Sequence, residues 1–339
     1  MIKLVIDCFG GDNSPKANIE GSIIALNKFD DLELILSGDS EIINKELLKY
    51  TYDKNRVTIL HAPLVLTGND KPTDAVRLKK DSSMIQGIRY LRENDDVDGI
   101  VSSGPTGCLV TAAMVRLGRV EGVIRPAFCP IFKTVEGEIV AICDSGANID
   151  VKADMLQQYG IMGSIYLQTV YGINNPRVAL LNVGVEEEKG DDVHKEAYQL
   201  LKNTKGINFV GNMEGRDLLS GKYDLVVCDG FSGNVLLKTT EGTALELLKK
   251  VKKEIMSKAK YKFGALFLKS MFKDMKELMN YQNYGGSVLL GSEKTIVKGH
   301  GSLDGEGFSN CVEQAYKIAN LKIVDKFKKE IAEAINKGE

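Results

Sequence analysis

The residues best suited to chemistry gather in short segments bearing Gly, Ser and Asp, each at the end of an apolar run. Ile6-Asp7 leads into Gly10-Gly11-Asp12, and Ile100-Val101 into Ser102-Ser103-Gly104-Pro105-Thr106-Gly107. Ile142-Cys143 meets Asp144-Ser145-Gly146-Ala147-Asn148, and Leu181-Asn182 meets Val183-Gly184. Val227-Cys228 runs into Asp229-Gly230-Phe231-Ser232-Gly233-Asn234. Several of these segments open helical patterns, whose first backbone N–H groups are unpaired and whose dipole favours an anion. A single loop of this kind needs no function, because Gly and Ser make ordinary turns. Five at one sheet edge point instead to a phosphate or carboxylate site. Asp7, Asp12, Asp144 and Asp229 would also form an acidic cluster for Mg2+, although capping of the following helices is the simpler account.

Bringing those loops to one edge requires a largely parallel sheet. Apolar runs predict strands at residues 2–7, 32–37, 56–61, 99–103, 127–132, 139–143, 178–183, 207–210 and 225–228. Helical patterns fill most gaps, at 15–28, 82–92, 106–120, 153–171 and 191–203. Near-continuous apolar strands joined by helices indicate a parallel sheet covered on both faces. Residues 127–132 and 139–143, with Glu136-Gly137 between them, read as a local antiparallel hairpin, so the sheet is mixed. Beyond Cys228 the pattern changes: residues 232–280 carry two long helical patterns, 281–300 are rich in Gly, and 306–337 read as closing helices. No Pro/Ser-rich linker divides the chain, which reads as one α/β domain over residues 1–339, in one or two lobes.

Composition narrows the class. The 339 residues include 44 Lys+Arg and 46 Asp+Glu, a net charge of -2, with 43% hydrophobic and 27% charged residues. Disorder, collagen-like sequence and a polycation built to coat nucleic acid are excluded. The six Cys are widely spaced without a C-x-x-C pair, and the chain enters a strand pattern directly after Met1. Reduced thiols in a cytoplasmic setting are therefore expected. The longest uncharged stretch, residues 155–176, is too polar to span a membrane and reads as a buried helix.

Familiar signatures fail. The chain lacks G-x-G-x-x-G after a strand, the P-loop pattern and a G-x-S-x-G elbow. His61, His194 and His300 lie far apart without a ligand partner at helical spacing, which argues against zinc. His300, between Gly299 and Gly301, is the one plausible member of a Ser-His-Asp triad, and a structural role in a flexible loop fits it equally. No cofactor and no metal are expected.

Taken together, the strand-end motifs resemble the PlsX family, bacterial phosphate acyltransferases of phospholipid synthesis. The matching stretches are residues 7–12 with Pro15, Lys79-Lys80-Asp81-Ser82-Ser83-Met84, 103–107, 144–150 and Tyr159-Gly160-Ile161-Met162-Gly163-Ser164. They continue with 180–184 plus Lys189-Gly190, 208–212, 229–234, Tyr284-Gly285-Gly286 and His300-Gly301-Ser302. The resemblance covers nearly the whole chain in family order. It implies a homodimer with a three-layer α/β/α fold akin to isopropylmalate dehydrogenase and phosphotransacetylase. The implied reaction moves a fatty acyl group from acyl-acyl-carrier protein to inorganic phosphate, giving acyl phosphate. Phe9 and Ser145 stand where relatives usually have Met and Val, and Pro105 where the family has Asn.

This reaction needs no catalytic triad. Phosphate is already anionic, and a pantetheine thiol with a pKa of roughly 8.5 leaves with little acid help. Positioning and oxyanion stabilisation remain. Donors at Gly104, Thr106, Gly107, Gly146, Asn148 and Gly233 suit phosphate and oxyanion binding. The resemblance implies charge stabilisation by Lys189 and orientation by Asn234. The alternatives are a solvated Lys189 beside Glu186, Glu187 and Glu188, and an Asn234 that only caps its helix.

A basic helical hairpin is expected at about residues 240–281, protruding from the body. Residues 249–276 hold ten Lys against Glu254 and Asp274, a local +8 that the rest of the chain balances with -10. Lys249, Lys250, Lys252 and Lys253, with Phe267, Leu268 and Met271, would face an acidic carrier protein, an anionic membrane surface or an acyl chain. The plainer account is a hairpin packed on its own dimer. Three rival functions stand beside the acyl-carrier reaction: a phosphotransacylase using short acyl-coenzyme A, a dehydrogenase of the same fold, and a membrane-surface scaffold for lipid-synthesis partners. A cytoplasmic enzyme, peripheral at the inner face of the membrane, is the expected setting, with no nucleic acid as partner.

Overall fold

A computed structural model describes residues 1–268, 270–271 and 284–336. In chain order its strands are β1 (Ile2–Asp7), β2 (Leu32–Gly38), β3 (Val57–His61), β4 (Gly99–Ser102), β5 (Ala127–Cys129) and β6 (Ile131–Lys133). Then follow β7 (Ile139–Cys143), β8 (Arg177–Leu181), β9 (Asn208–Met213), β10 (Leu225–Val227), β11 (Ser287–Leu290) and β12 (Thr295–Lys298). They form two sheets, ordered β3-β2-β1-β4-β12-β11-β5 and β6-β7-β10-β8-β9. Each is mainly parallel with antiparallel pairings near one edge, so the expected mixed character is present in both.

β1 illustrates why these runs become strands. Leu4 and Ile6 pack into one core with Ile19, Leu26 and Phe308, whereas Val5 packs on the opposite face with Met84, Ile88 and Leu109. Alternate residues thus meet helices on both sides, and each fully buried aliphatic side chain contributes roughly 1.5–3 kcal/mol. Helices Lys16–Lys28 and Gly305–Asn320 cover one face, and Ser83–Glu93 and Thr106–Arg116 the other. The helix Ala153–Tyr171 matches the helical pattern expected at 153–171 and ends within the uncharged stretch 155–176, with Tyr159 and Tyr166 fully buried beneath the second sheet. Among the described residues, no helix is long and apolar enough to cross a membrane.

The run expected as one strand at 127–132 is divided between the sheets. β5 pairs antiparallel with β11, and β6 pairs antiparallel with β7. Pro130 stands at the switch, where a residue without a backbone N–H loses no ladder bond. β11 and β12 correct the reading of 281–300 as merely Gly-rich. β12 runs parallel to β4 with Lys298 opposite Ser102, so a late segment enters the middle of the first sheet.

The helix Gly230–Ser257 has 28 residues, about 42 Å at 1.5 Å per residue, and only Gly230 and Gly233 in it are buried. A second helix, Ala259–Phe267, follows. Lys249 and Lys250 are exposed and pair with Glu246 and Glu254, while Lys252 and Lys253 are also exposed. Phe267, Leu268 and Met271 are exposed too, and Phe267 meets Phe263 edge to face. The expected hairpin at about 240–281 falls partly outside the described residues.

Candidate active site

The strand-end loops do not all meet at one sheet edge: those after β1 and β4 adjoin in the first sheet, those after β7 and β10 adjoin in the second, and the loop after β8 adds no residue to the cleft described below. They divide into two kinds. Some are filled by side chains of their own. The Asp144 carboxylate, fully buried after β7, accepts N–H bonds from Phe128 (2.9 Å), Gly146 (3.2 Å), Ala147 (3.0 Å) and Asn148 (2.6 Å). The Asn148 side-chain amide donates to Asp144 and to the Pro126 carbonyl. Burial pushes the Asp144 carboxyl above the ordinary carboxylate value, and the N–H donors pull against that rise. Asp7, at the end of β1, is held likewise by Ser83 and Ser102 hydroxyls, each at 2.6 Å, and by the Phe9 N–H. Its carboxyl too is raised by burial.

This corrects four of the donors expected to bind phosphate or the oxyanion. The Gly146 and Asn148 N–H groups are engaged by Asp144. The Gly104 N–H donates to Ser102 Oγ at 3.0 Å, and the Gly233 N–H to the Asp229 carbonyl within its helix. Gly104 and Gly233 have neighbours that demand closeness instead. A Cβ on Gly10 would collide with the Gly104 backbone, and a Cβ on Gly233 with the Asp144 carbonyl. Asp229 caps its helix by accepting from Ser232 at 2.8 Å, as the simpler account proposed, whereas Asp7 and Asp144 brace loops. Among the described residues no group of three or more His, Cys, Asp or Glu could hold a metal ion.

The open end is that of the helix Thr106–Arg116. Pro105 sits at its N-cap, one place earlier than the first helical position, and supplies no side-chain cap. Thr106 and Gly107 are exposed there, and their N–H groups, at a helix start, have no partner within the helix. They border a cleft of about 280 Å3 between the two sheets. Asn234, Lys238 and Glu241 enter from the Gly230–Ser257 helix, and Lys298 and His300 from the end of β12. Phe128, Pro130, Ile131, Phe132 and Leu237 give the cleft an apolar wall.

Asn234 stands against Gly146, whose added Cβ would lie 3.8 Å from the Asn234 Cβ and Cγ. Asp229 is the cap of this helix, so the capping account of Asn234 does not hold. Lys189 does not line the cleft of its own chain. It is exposed in the loop after β8, where its N–H donates to the Glu186 carbonyl and its carbonyl accepts from Asn182. Of the two residues that the resemblance paired, Asn234 lines this cleft and Lys189 does not.

Lys298, Lys238 and Glu241 were missed. Lys298 is half-buried, its ammonium donating to the Gly299 carbonyl. Burial and the nearby Lys238 lower its pKa to about 8, against the raising effect of Cys311, Asp7 and Asp12. His300 is held below its usual value by burial first, then by Lys238 and Lys298. Lys238 lies 3.9 Å from Glu241, whose carboxyl is raised by burial. One signal was available: Asn234, Lys238 and Glu241 fall at i, i+4 and i+7, one face of a helix.

A family model for a fatty acid synthesis protein matches residues 2–326. A phosphate acyltransferase of Alkaliphilus oremlandii is 42% identical over 324 residues, 96% of each chain. One from Bacillus subtilis is 42% identical over 332 residues, 98% of each chain. The fold is similar to that of a phosphotransacetylase from Streptococcus pyogenes, with a TM-score of 0.62 at 16% identity over 96% of this chain and 94% of that one. A 4-hydroxythreonine-4-phosphate dehydrogenase from Klebsiella pneumoniae gives a TM-score of 0.51 at 13% identity over 94% of this chain and 98% of that one. These two likenesses concern the fold alone. The full-length matches to phosphate acyltransferases and to the fatty acid synthesis model place the chain in a family: it belongs to the PlsX family.

Proposed function

We propose that this chain transfers a fatty acyl group from acyl-acyl-carrier protein to inorganic phosphate, releasing acyl phosphate for phospholipid synthesis. The observation that carries the reading is the pairing of an anion site with an apolar wall in one cleft. Uncapped N–H groups at Thr106 and Gly107, with Lys238 lining the same cleft, suit phosphate. Phe128, Ile131, Phe132 and Leu237 suit the first carbons of an acyl chain. Asn234, lining the same cleft, would orient the thioester carbonyl and steady its oxyanion. Phosphate supplies the nucleophile ready-made, which agrees with a site built from donors and cations rather than a nucleophilic side chain.

The exposed lysines at 249, 250, 252 and 253, on the same helix as Asn234, support docking of an acidic carrier protein or an anionic membrane surface. Incubation with acyl-acyl-carrier protein and phosphate, trapping the product with hydroxylamine, tests the reading. Hydroxamate is expected. Its absence would defeat the proposal, and turnover only with short acyl-coenzyme A would favour the sister phosphotransacylase.

A further inference from the structure

Attack of phosphate on a thioester gives a tetrahedral intermediate with two groups able to depart. An alkyl thiol, with a pKa of roughly 8.5, is the more basic of the two, because the second ionisation of a phosphate group lies lower. Unaided collapse therefore favours expelling phosphate and returning to substrate, so the departing thiol needs more acid help than its own pKa suggests. The balanced forward reaction turns HPO4(2-) and a thioester into an acyl phosphate dianion and a thiol. The proton that phosphate brings must end on sulfur.

We infer that Lys298 carries this proton. Its ammonium donates to the sulfur as the C–S bond breaks and the bonding pair leaves with sulfur. The amine so formed recovers the P–OH proton of the acyl phosphate, and no further reactant is needed. This inference rests on the function proposed above.

Its placement follows from strand pairing. Lys298 lies opposite Ser102, and the Gly299 N–H donates to the Ser102 carbonyl at 3.0 Å, fixing Lys298 where β4 turns toward the Thr106 helix. It lines the same cleft as Thr106, Gly107 and Asn234. One ammonium proton anchors to the Gly299 carbonyl, which leaves two others to face the cleft.

The groups around it set its strength. Lys238 from the Gly230–Ser257 helix joins burial in lowering its pKa, while Cys311, Asp7 and Asp12 oppose them. The outcome, about 8, is close to that of the leaving thiol, so transfer in either direction is nearly balanced. The neighbours are less suited. His300 is held below its ordinary value and is a neutral ring at pH 7, and Lys238 is more exposed and faces Glu241 at 3.9 Å.

Leaving-group dependence provides the test. Wild type, Lys298→Gln and Lys298→Arg would be assayed with a pantetheine thioester and a thiophenyl ester of the same fatty acid, the latter releasing a far more acidic thiol. Both variants should lose roughly a hundredfold in kcat on the pantetheine ester. Both should keep thiophenyl ester turnover and the phosphate KM within about threefold, which also shows that they fold. In wild type the pantetheine rate should fall above about pH 8, and the thiophenyl rate should not. Equal losses on both esters, a raised phosphate KM, or full rescue by Arg would overturn the inference and leave Lys298 as a charge that binds anion. Wild type forming no acyl phosphate from either ester, nor from acyl-acyl-carrier protein, would instead overturn the function itself and this step with it.

Discussion

Two strand ends of similar sequence chemistry reach opposite states. After β7, residues 144–148 curl their N–H groups inward around an anion that belongs to the chain, the Asp144 carboxylate. After β4, residues 103–107 carry the same small-residue character, yet Pro105 at the N-cap offers no side-chain acceptor, and Thr106 and Gly107 line the cleft. A small-residue loop receives a ligand only where nothing in its own chain fills it. The filled nest braces the site, and the open helix end is the site.

Asp144→Ala probes the filled nest and should have the largest effect. One buried and three part-buried N–H donors lose their acceptor at once, so denaturant unfolding should show a loss of about 3 kcal/mol or more. A loss below about 1 kcal/mol would mean that water fills the nest and that the two loops are alike after all. On the open side, Asn234→Ala should lower kcat by roughly a hundredfold, about 2.7 kcal/mol, with the denaturation midpoint unchanged. Equal losses in stability and turnover would move Asn234 to the bracing side.

Gly233→Ala tests how tightly the two regions are joined. Its methyl group would press on the Asp144 carbonyl, costing about 2 kcal/mol of stability and shifting Asn234 with its helix. A variant of full stability and activity would show that the helix start has room to move. Pro105→Asn should give the smallest change. An Asn cap would accept a first-turn N–H, raising stability by about 1 kcal/mol or less while weakening phosphate binding, read as a higher KM. An unaltered KM would indicate that the capped donor does not face phosphate.

Much of the scaffold is legible in the sequence. Residues 2–7 and 153–171 were expected at the bounds observed, because an apolar run bounded by turn residues and a long uncharged helical pattern are strong local signals. β11 and β12 were missed, since four-residue strands separated by a turn resemble loop when their partners β4 and β5 lie far back along the chain. The same blindness hid Lys298. Thr106, Gly107 and Asn234 were named and do line the cleft, whereas Gly104, Gly146, Asn148 and Gly233 were named for donors that internal bonds already occupy. Lys189 carried the family motif but lies outside the cleft of its own chain.

By itself the sequence determined where strands end, which segments turn sharply and which helix carries a basic surface. These follow from local periodicity and turn chemistry, which need no distant partner. The tertiary structure decided which of those turns remain open. It sets Asp144 into one nest, leaves Pro105 before another, and brings β12 beside β4 so that Lys298 lines the same cleft as the uncapped helix. Whether a donor is free depends on every acceptor within about 3 Å of it, and most of those arrive from elsewhere in the chain.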